Sequence, residues 1–246
     1  MKPAFVPLLF LVSQLLYAQA PTWQWARTHG GAEREVSKAV VTDNSGNVYI
    51  TGSFSTSLVT FGTTNLINVS GTCSPDCSDL FLVKYDPTGN VIWARSAGSN
   101  LNDEGLAICT DPIGNIFITG NFQGTSIAFN STVLYNFGPF RTFFIAKYDS
   151  QGNLLWARNT ANQSSGYGTG IACDTLGNVV ASGWFSSVSI AFGSITLTNT
   201  NSLSTDIFLV KYDPAGNVMW ARKGGGTEYD YATAIASDLS GNVFVT

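Results

Sequence analysis

Charge is scarce in this chain. Only 11% of its 246 residues are charged, twelve basic and sixteen acidic, for a net charge of −4. Disordered tails and long exposed helices need more charge, and phosphate-backbone binding needs a basic surplus, so a disordered chain, a coiled coil and a nucleic-acid partner are excluded. Histidine is scarcer still, with His29 alone. That removes histidine-based metal clusters and leaves any Ser-His-Asp site dependent on one loop residue. No segment approaches 18 uninterrupted apolar residues, so no transmembrane helix is expected. What is abundant is hydrophobic residues at 44%, aromatics at 13% and 25 glycines, with many Thr, Val, Ile, Phe and Asn. This composition favours strands and tight turns, and the expected fold class is all-β.

The first segment stands apart. Lys2, an apolar run from Ala4 to Leu16, and small residues at Ala18 and Ala20 have the layout of a secretory signal peptide. Residues 1–20 are therefore read as a leader cleaved after Ala18 or Ala20, and residues 21–246 as an exported protein, secreted or held at the cell surface.

The rest is repetitive. Trp-Ala-Arg recurs at Trp25, Trp93, Trp156 and Trp220, at spacings of 68, 63 and 64 residues. Lys-Tyr-Asp begins at Lys84, Lys147 and Lys211, each nine residues before a Trp. Asp-x-x-Gly-Asn occurs seven times, with its Asp and Gly at Asp43 and Gly46, Asp86 and Gly89, Asp111 and Gly114, Asp149 and Gly152, Asp174 and Gly177, Asp213 and Gly216, and Asp238 and Gly241. Asp accepts hydrogen bonds from nearby backbone and Gly tolerates positive φ, so each copy is predicted to be a structural hairpin turn. A calcium loop is the alternative use of such oxygens, but the distal Glu of an EF-hand is missing. Two hairpins per repeat give four strands, exemplified by Leu106–Thr110, Ile116–Phe122, Phe143–Asp149 and Leu154–Arg158. In the first repeat, Tyr85 is predicted opposite Val91, Val83 opposite Trp93 and Leu82 opposite Ala94. Both faces of such a sheet are apolar, which calls for sheets stacked face to face, as in the blades of a β-propeller.

These motifs carry a family likeness. The pattern D-x-x-G-N-x-[YF]-[IV]-T-G-x-F followed by F-x-x-K-Y-D-x-x-G-N-x-x-W-A-R resembles the bacterial SBBP repeat, and the likeness covers almost all of Trp23 to Thr246. Ser182 departs from it, standing where Thr is expected. The resemblance implies a seven-bladed propeller in a secreted or surface-bound bacterial protein and carries no single activity with it. The repeats are placed at about 29–95, 96–158 and 159–222, with an incomplete one at 223–246. Trp23–Thr28 is read as a lone fourth strand. The chain is expected to be a fragment of about three and a half blades, continuing beyond Thr246, since seven such blades need roughly 450 residues.

Strand parity sends all seven turns to one face of the ring. The opposite face gathers the blade-to-blade loops, where binding residues on a rigid scaffold usually sit. Those loops supply Glu33, Glu35, Asp103, Glu104, Glu228 and Asp230, with Tyr167, Tyr229 and Tyr231, a set suited to a divalent cation, a cationic ligand or a sugar. Arg34 and Lys38 offset part of the charge, and the loops share no one calcium-ligand pattern, so no cofactor is required. The long second-to-third connections are expected to hold a short extra hairpin with Phe61, Phe129 and Phe192 turned inward. Cys73 and Cys77 are expected to form a disulfide across a small exposed loop. Cys109 and Cys173 have opposite strand parity, so they are expected to point to different sheet faces and to remain buried free thiols.

On these grounds the chain is expected to be a non-catalytic scaffold for a protein or glycan ligand. A polysaccharide hydrolase or lyase using Glu104 or Glu228, and a spacer in a larger surface protein, are the alternatives.

Overall fold

The computed structural model describes residues 23–69, 77–160, 164–201, 203–238 and 240–246. The leader and Cys73 lie outside the described residues, as do Ala161, Asn162 and Gln163.

The first blade is an antiparallel meander of β1 (Glu35–Thr42) and β2 (Val48–Phe54), then β5 (Asp79–Tyr85) and β6 (Val91–Ala97), with β3 (Leu58–Phe61) and β4 (Thr64–Ile67) forming a separate hairpin between. The second repeats it with β7 (Asp103–Thr110), β8 (Ile116–Phe122), the hairpin β9 (Ser126–Phe129) and β10 (Thr132–Tyr135), then β11 (Thr142–Tyr148) and β12 (Leu154–Asn159). The third has β13 (Gly166–Cys173), β14 (Val179–Phe185), β15 (Ser189–Phe192), β16 (Ile195–Thr198), β17 (Asp206–Tyr212) and β18 (Val218–Gly224). A further pair, β19 (Ile235–Ser237) and β20 (Val243–Val245), follows. Successive first strands β1, β7, β13 and β19 pack side by side. These sheets are blades of a β-propeller. Residues 23–34 belong to no strand, so Trp23–Thr28 is not the fourth strand of any sheet among the described residues.

The core lies between blades because alternate side chains of each strand enter different layers. On β8, Ile116 and Ile118 join Leu80, Leu82 and Trp93 of the first blade, while Phe117 turns the other way to join Val179, Ala181 and Val210 of the third. Every residue of β8 and β11 is buried as a result. The extra hairpins are where they were expected, and Phe61, Phe129 and Phe192 are buried beneath them.

All seven Asp-x-x-Gly-Asn segments are hairpin turns built alike. In each, Oδ1 of Asp accepts the backbone N–H groups two and four residues on, and Oδ2 accepts the amide of the final Asn, as Asp86 does from Thr88 and Asn90 at 2.8 to 3.0 Å. The fourth residue has φ between 78° and 86° in every copy, which is why it is Gly. Hydrogen bonds from Asn90 and Thr88 hold the Asp86 carboxyl down at about 2, and those from Asn217 and Asn242 lower Asp213 and Asp238. A carboxyl lowered on folding stabilises the fold above its unfolded pKa and loses that contribution as pH falls through the folded value. The melting temperature is therefore expected to drop between about pH 4 and pH 2. A melting temperature that holds constant over that interval in a pH series would contradict this account of the turns.

The predicted register of the third and fourth strands needs a correction of one residue. Tyr85 does pair with Val91, but a bulge at Ile92 sets Lys84 opposite Trp93, Val83 opposite Ala94 and Leu82 opposite Arg95. The same bulge occurs in the second and third blades. It brings the Lys and Trp of the two repeated motifs to one side, and both reach across to the next blade. Lys84 Nζ and Trp93 Nε1 donate to the carbonyl of Ser150 at 3.1 and 3.2 Å, and Arg95 Nε donates to that of Gly152 at 2.9 Å. Lys147, Trp156 and Arg158 grip Pro214 and Gly216 in the same way. Ahead of the first blade, Trp25 and Arg27 grip Pro87 and Gly89. The Trp-Ala-Arg segments at Trp25, Trp93 and Trp156 are therefore clasps onto a turn of the blade that follows each of them.

The expectation that Cys109 and Cys173 remain free thiols is overturned. Cys109 and Cys173 form a disulfide joining β7 to β13, with Cα atoms 6.1 Å apart. Their opposite parity, which had argued against pairing, is what permits it. In stacked sheets the upper face of one meets the lower face of the next, so contact requires side chains of opposite sense. Other copies of this contact are polar: Thr110 Oγ1 donates to the carbonyl of Thr42, and Ser237 Oγ to that of Cys173. Cys77 is disulfide-bonded as well, and no described cysteine is free.

Candidate functional site

The meander places every Asp-x-x-Gly-Asn turn at one end of the blades and every blade-to-blade loop at the other. The loop face is shaped by a backbone constraint. A Cβ on Gly52, Gly120 or Gly183 would lie 1.8 to 1.9 Å from the carbonyl oxygen of Val36, Glu104 or Tyr167, so Gly is required in each Thr/Ser-Gly-x-Phe segment beside the bulged first strand. Thr51 and Thr119 donate to the carbonyls of Phe81 and Phe144, whereas the buried hydroxyl of Ser182, the divergent copy, has no partner.

The position after that Gly lies near the loop-face end of the second strand and differs in every blade, being Ser53, Asn121 and Trp184. Its cross-strand partners are Val36, Glu104 and Tyr167. Between the first two blades, Arg34, Val36, Ser53, Ser78, Asn102, Glu104 and Arg141 line a polar cleft of about 320 Å³. Glu104 is neutralised there: its Oε2 lies 3.0 Å from Arg141 Nη1 and its Oε1 lies 3.9 Å from Lys38 Nζ. Arg141 also donates to Asn121 Oδ1 at 2.9 Å.

In the third blade the same place is aromatic. Tyr167 stacks on Trp184 with ring centroids 4.0 Å apart and planes 13° apart. Tyr231 stands edge-on to Trp184 at 5.2 Å, and Tyr229 lies parallel to Tyr231 at 6.5 Å. Tyr229 and Tyr231 are exposed, and Tyr167 and Trp184 are half-buried. The structure thus unites the three loop tyrosines around a fourth ring that sequence reasoning missed. The available signal was the size of Trp184, in a position that holds Ser or Asn in the preceding two copies.

The acidic residues do not assemble into one mouth. Glu33 and Glu228 are exposed. Glu35 is half-buried, with Oε1 lacking a partner, near His29, whose ring packs on Phe61 at 4.8 Å. Asp103 is fully buried and accepts from the Ser99 N–H and hydroxyl. Burial pushes its carboxyl well above the usual range, and burial likewise pushes Asp79 up to about 7. Asp230 accepts the Gly226 N–H at 2.8 Å. Among the described residues no three His, Cys, Asp or Glu side chains are grouped for a metal ion. No helix of the described chain is long and apolar enough to cross a membrane.

No family model matches the chain. It is 31% identical over 198 residues to an uncharacterized WD repeat-containing protein of Acanthamoeba polyphaga mimivirus, covering 68% of this chain and 14% of that protein. It is 33% identical over 102 residues to the regulatory protein FlaEY of Caulobacter vibrioides, covering 41% of this chain and 11% of that one. The chain thus spans less than a sixth of either relative. Likeness to a WD-repeat protein agrees with the four-stranded antiparallel blades. The chain is a β-propeller repeat scaffold. On that scaffold, the loop face carries side chains that change from blade to blade, and the turn face carries one motif seven times.

Proposed function

We propose that this protein is a non-catalytic binding scaffold, exported to the cell surface or beyond, whose loop face takes a protein or glycan ligand. The observation that carries the proposal is the cluster of Tyr167, Trp184, Tyr229 and Tyr231. Rigid amphipathic rings with exposed edges supply contact area at little entropic cost, and Trp and Tyr dominate the energetics of binding surfaces. Export is supported by the leader layout of residues 1–20 and by the Cys109–Cys173 disulfide, which belongs to an oxidising compartment. The recurring motifs support membership of the bacterial SBBP type with seven blades in the complete ring.

The test is a screen of the purified chain against a glycan array and a surface-protein fraction, followed by affinity measurement on any ligand found. Trp184→Ala and Tyr231→Ala are each expected to weaken binding roughly tenfold or more, as loss of an anchoring aromatic does. Gln151→Ala, at a turn on the opposite face, should leave affinity unchanged. Equal loss from all three variants, or product release from a polysaccharide that Glu228→Gln abolishes, would overturn the proposal.

A further inference from the structure

The blade junctions provide an internal comparison. At the first, Asp79 opens β5 and Asp103 opens β7. At the third, Asp206 opens β17 and Asp230 stands in the loop after β18. A glycine packs against the first aspartate of each pair and, at the third junction, against the second as well. A Cβ on Gly98 would lie 2.2 Å from Asp79 Cγ, and one on Gly225 would lie 2.5 Å from Asp206 Oδ1 and 3.0 Å from Asp230 Oδ2. In both loops the next residue, Ser99 or Gly226, donates its N–H to the second aspartate. At the middle junction both aspartates are replaced together, by Thr142 and Gly166, and the Thr142 hydroxyl pairs instead with that of Thr160 at 2.7 Å. The two carboxylates therefore come and go as a unit.

The two acidic junctions differ in one charge. Lys223 Nζ lies 2.8 Å from Asp206 Oδ2 and also donates to Thr200 Oγ1. Lys223 sits on β18 opposite Phe208, and the residue in that place on β6, opposite Phe81, is Ser96. No Lys, Arg or His is paired with Asp79 or Asp103 among the described residues. Both aspartates are at most 1% exposed, Asp79 Oδ1 has no hydrogen-bond partner, and the charge of Asp79 bears on Asp103. Asp206 Oδ1 is also without a partner, so at the third junction the ammonium compensates through Oδ2. Two neighbouring carboxylates taken out of water need a cation or a shared proton.

We propose that the junction of blades 1 and 2 binds one divalent cation, calcium by preference, between Asp79 and Asp103, in the role Lys223 plays at the third junction. The donors offered there are carboxylate oxygens and the Ser99 hydroxyl, which suit a hard ion. Two carboxylates give a charge matching a divalent cation, and so low a count of charged ligands corresponds to an affinity near that of extracellular modules, about 10⁻⁴ to 10⁻³ M.

The whole chain, stripped with EDTA, is melted in millimolar calcium, magnesium or sodium, and calcium binding is followed by calorimetry. Calcium is expected to raise the melting temperature by about 5 °C with one site per chain. Asp79→Asn and Asp103→Asn should each abolish that increment. Ser96→Lys, which transplants the ammonium of the third blade, should raise the melting temperature in EDTA and remove the response to calcium. The site is refuted if calcium gives neither heat nor stabilisation, or if the increment survives in Ser96→Lys and both Asn variants. A larger increment with magnesium refutes the preference for calcium.

Discussion

Reduction of the Cys109–Cys173 disulfide is expected to lower the melting temperature by roughly 10 °C, which for a chain of this size corresponds to about 4 kcal/mol. The two cysteines are 64 residues apart. Loop-closure entropy grows with the logarithm of that separation, so a link of this span restricts the unfolded chain far more than one across a tight loop. It also joins two first strands whose other contacts are side by side rather than hydrogen-bonded in one ladder, and the blades it joins are otherwise held by packing and by the clasps. The measurement is thermal unfolding with and without a thiol reductant, for the natural chain and for the double variant Cys109→Ala/Cys173→Ala. The double variant should melt near the reduced natural chain, and reductant should move it little. If reductant lowers both proteins equally, the stabilisation lies with the other cysteines.

What the sequence allowed to be read, and what it did not, divides at the boundary between one sheet and the next. Within a sheet, local chemistry is sufficient. Asp and Gly at fixed spacing specify the seven turns, alternation specifies the strands, and Phe61, Phe129 and Phe192 mark hairpins that fold inward. Between sheets, the same rules mislead. Opposite parity of Cys109 and Cys173 implies separation only within one sheet, because parity describes the faces of that sheet and the stacking of sheets inverts its meaning. Even alternation sets Trp93 opposite Val83, one residue out of register, because the bulge at Ile92 leaves no mark in the sequence. The shared target of Trp93 and Lys84, the Ser150 carbonyl, is 57 to 66 residues away. The site divides the same way. Tyr167, Tyr229 and Tyr231 were legible as loop aromatics. Trp184 was not, since it lies on a second strand and joins them only through the antiparallel pairing of β14 with β13. By its place in a blade-to-blade segment Asp103 reads as a loop-face acid, and its burial follows from a neighbouring blade that its own strand does not predict.

Trp156→Ala is expected to destabilise the chain by about 3 to 5 kcal/mol, the range for deleting a large buried side chain. The indole is 7% exposed and packs within the core shared by blades 2 and 3. Its Nε1 donates to the Pro214 carbonyl at 3.1 Å, and the Arg158 guanidinium covers its ring at 5.7 Å while donating to the Gly216 carbonyl. Arg158→Ala removes hydrogen bonds at a more accessible edge and should cost less, about 1 to 2 kcal/mol. Cavity formation alone would give the same value for Trp156→Ala, so the clasp is tested by coupling to the turn it grips. Gly216 has a φ of 82°, and a Cβ there would come within 2.8 Å of the Trp156 ring. Gly216→Ala therefore carries two penalties in the natural chain, left-handed backbone strain of about 1 to 2 kcal/mol and displacement of the indole. With Trp156 already removed, only the strain remains. A double-mutant cycle by chemical denaturation should show Gly216→Ala less damaging in the Trp156→Ala background by at least about 1 kcal/mol. Strict additivity would mean that the tryptophan stabilises its own blade and that adjacent blades are held together by other contacts.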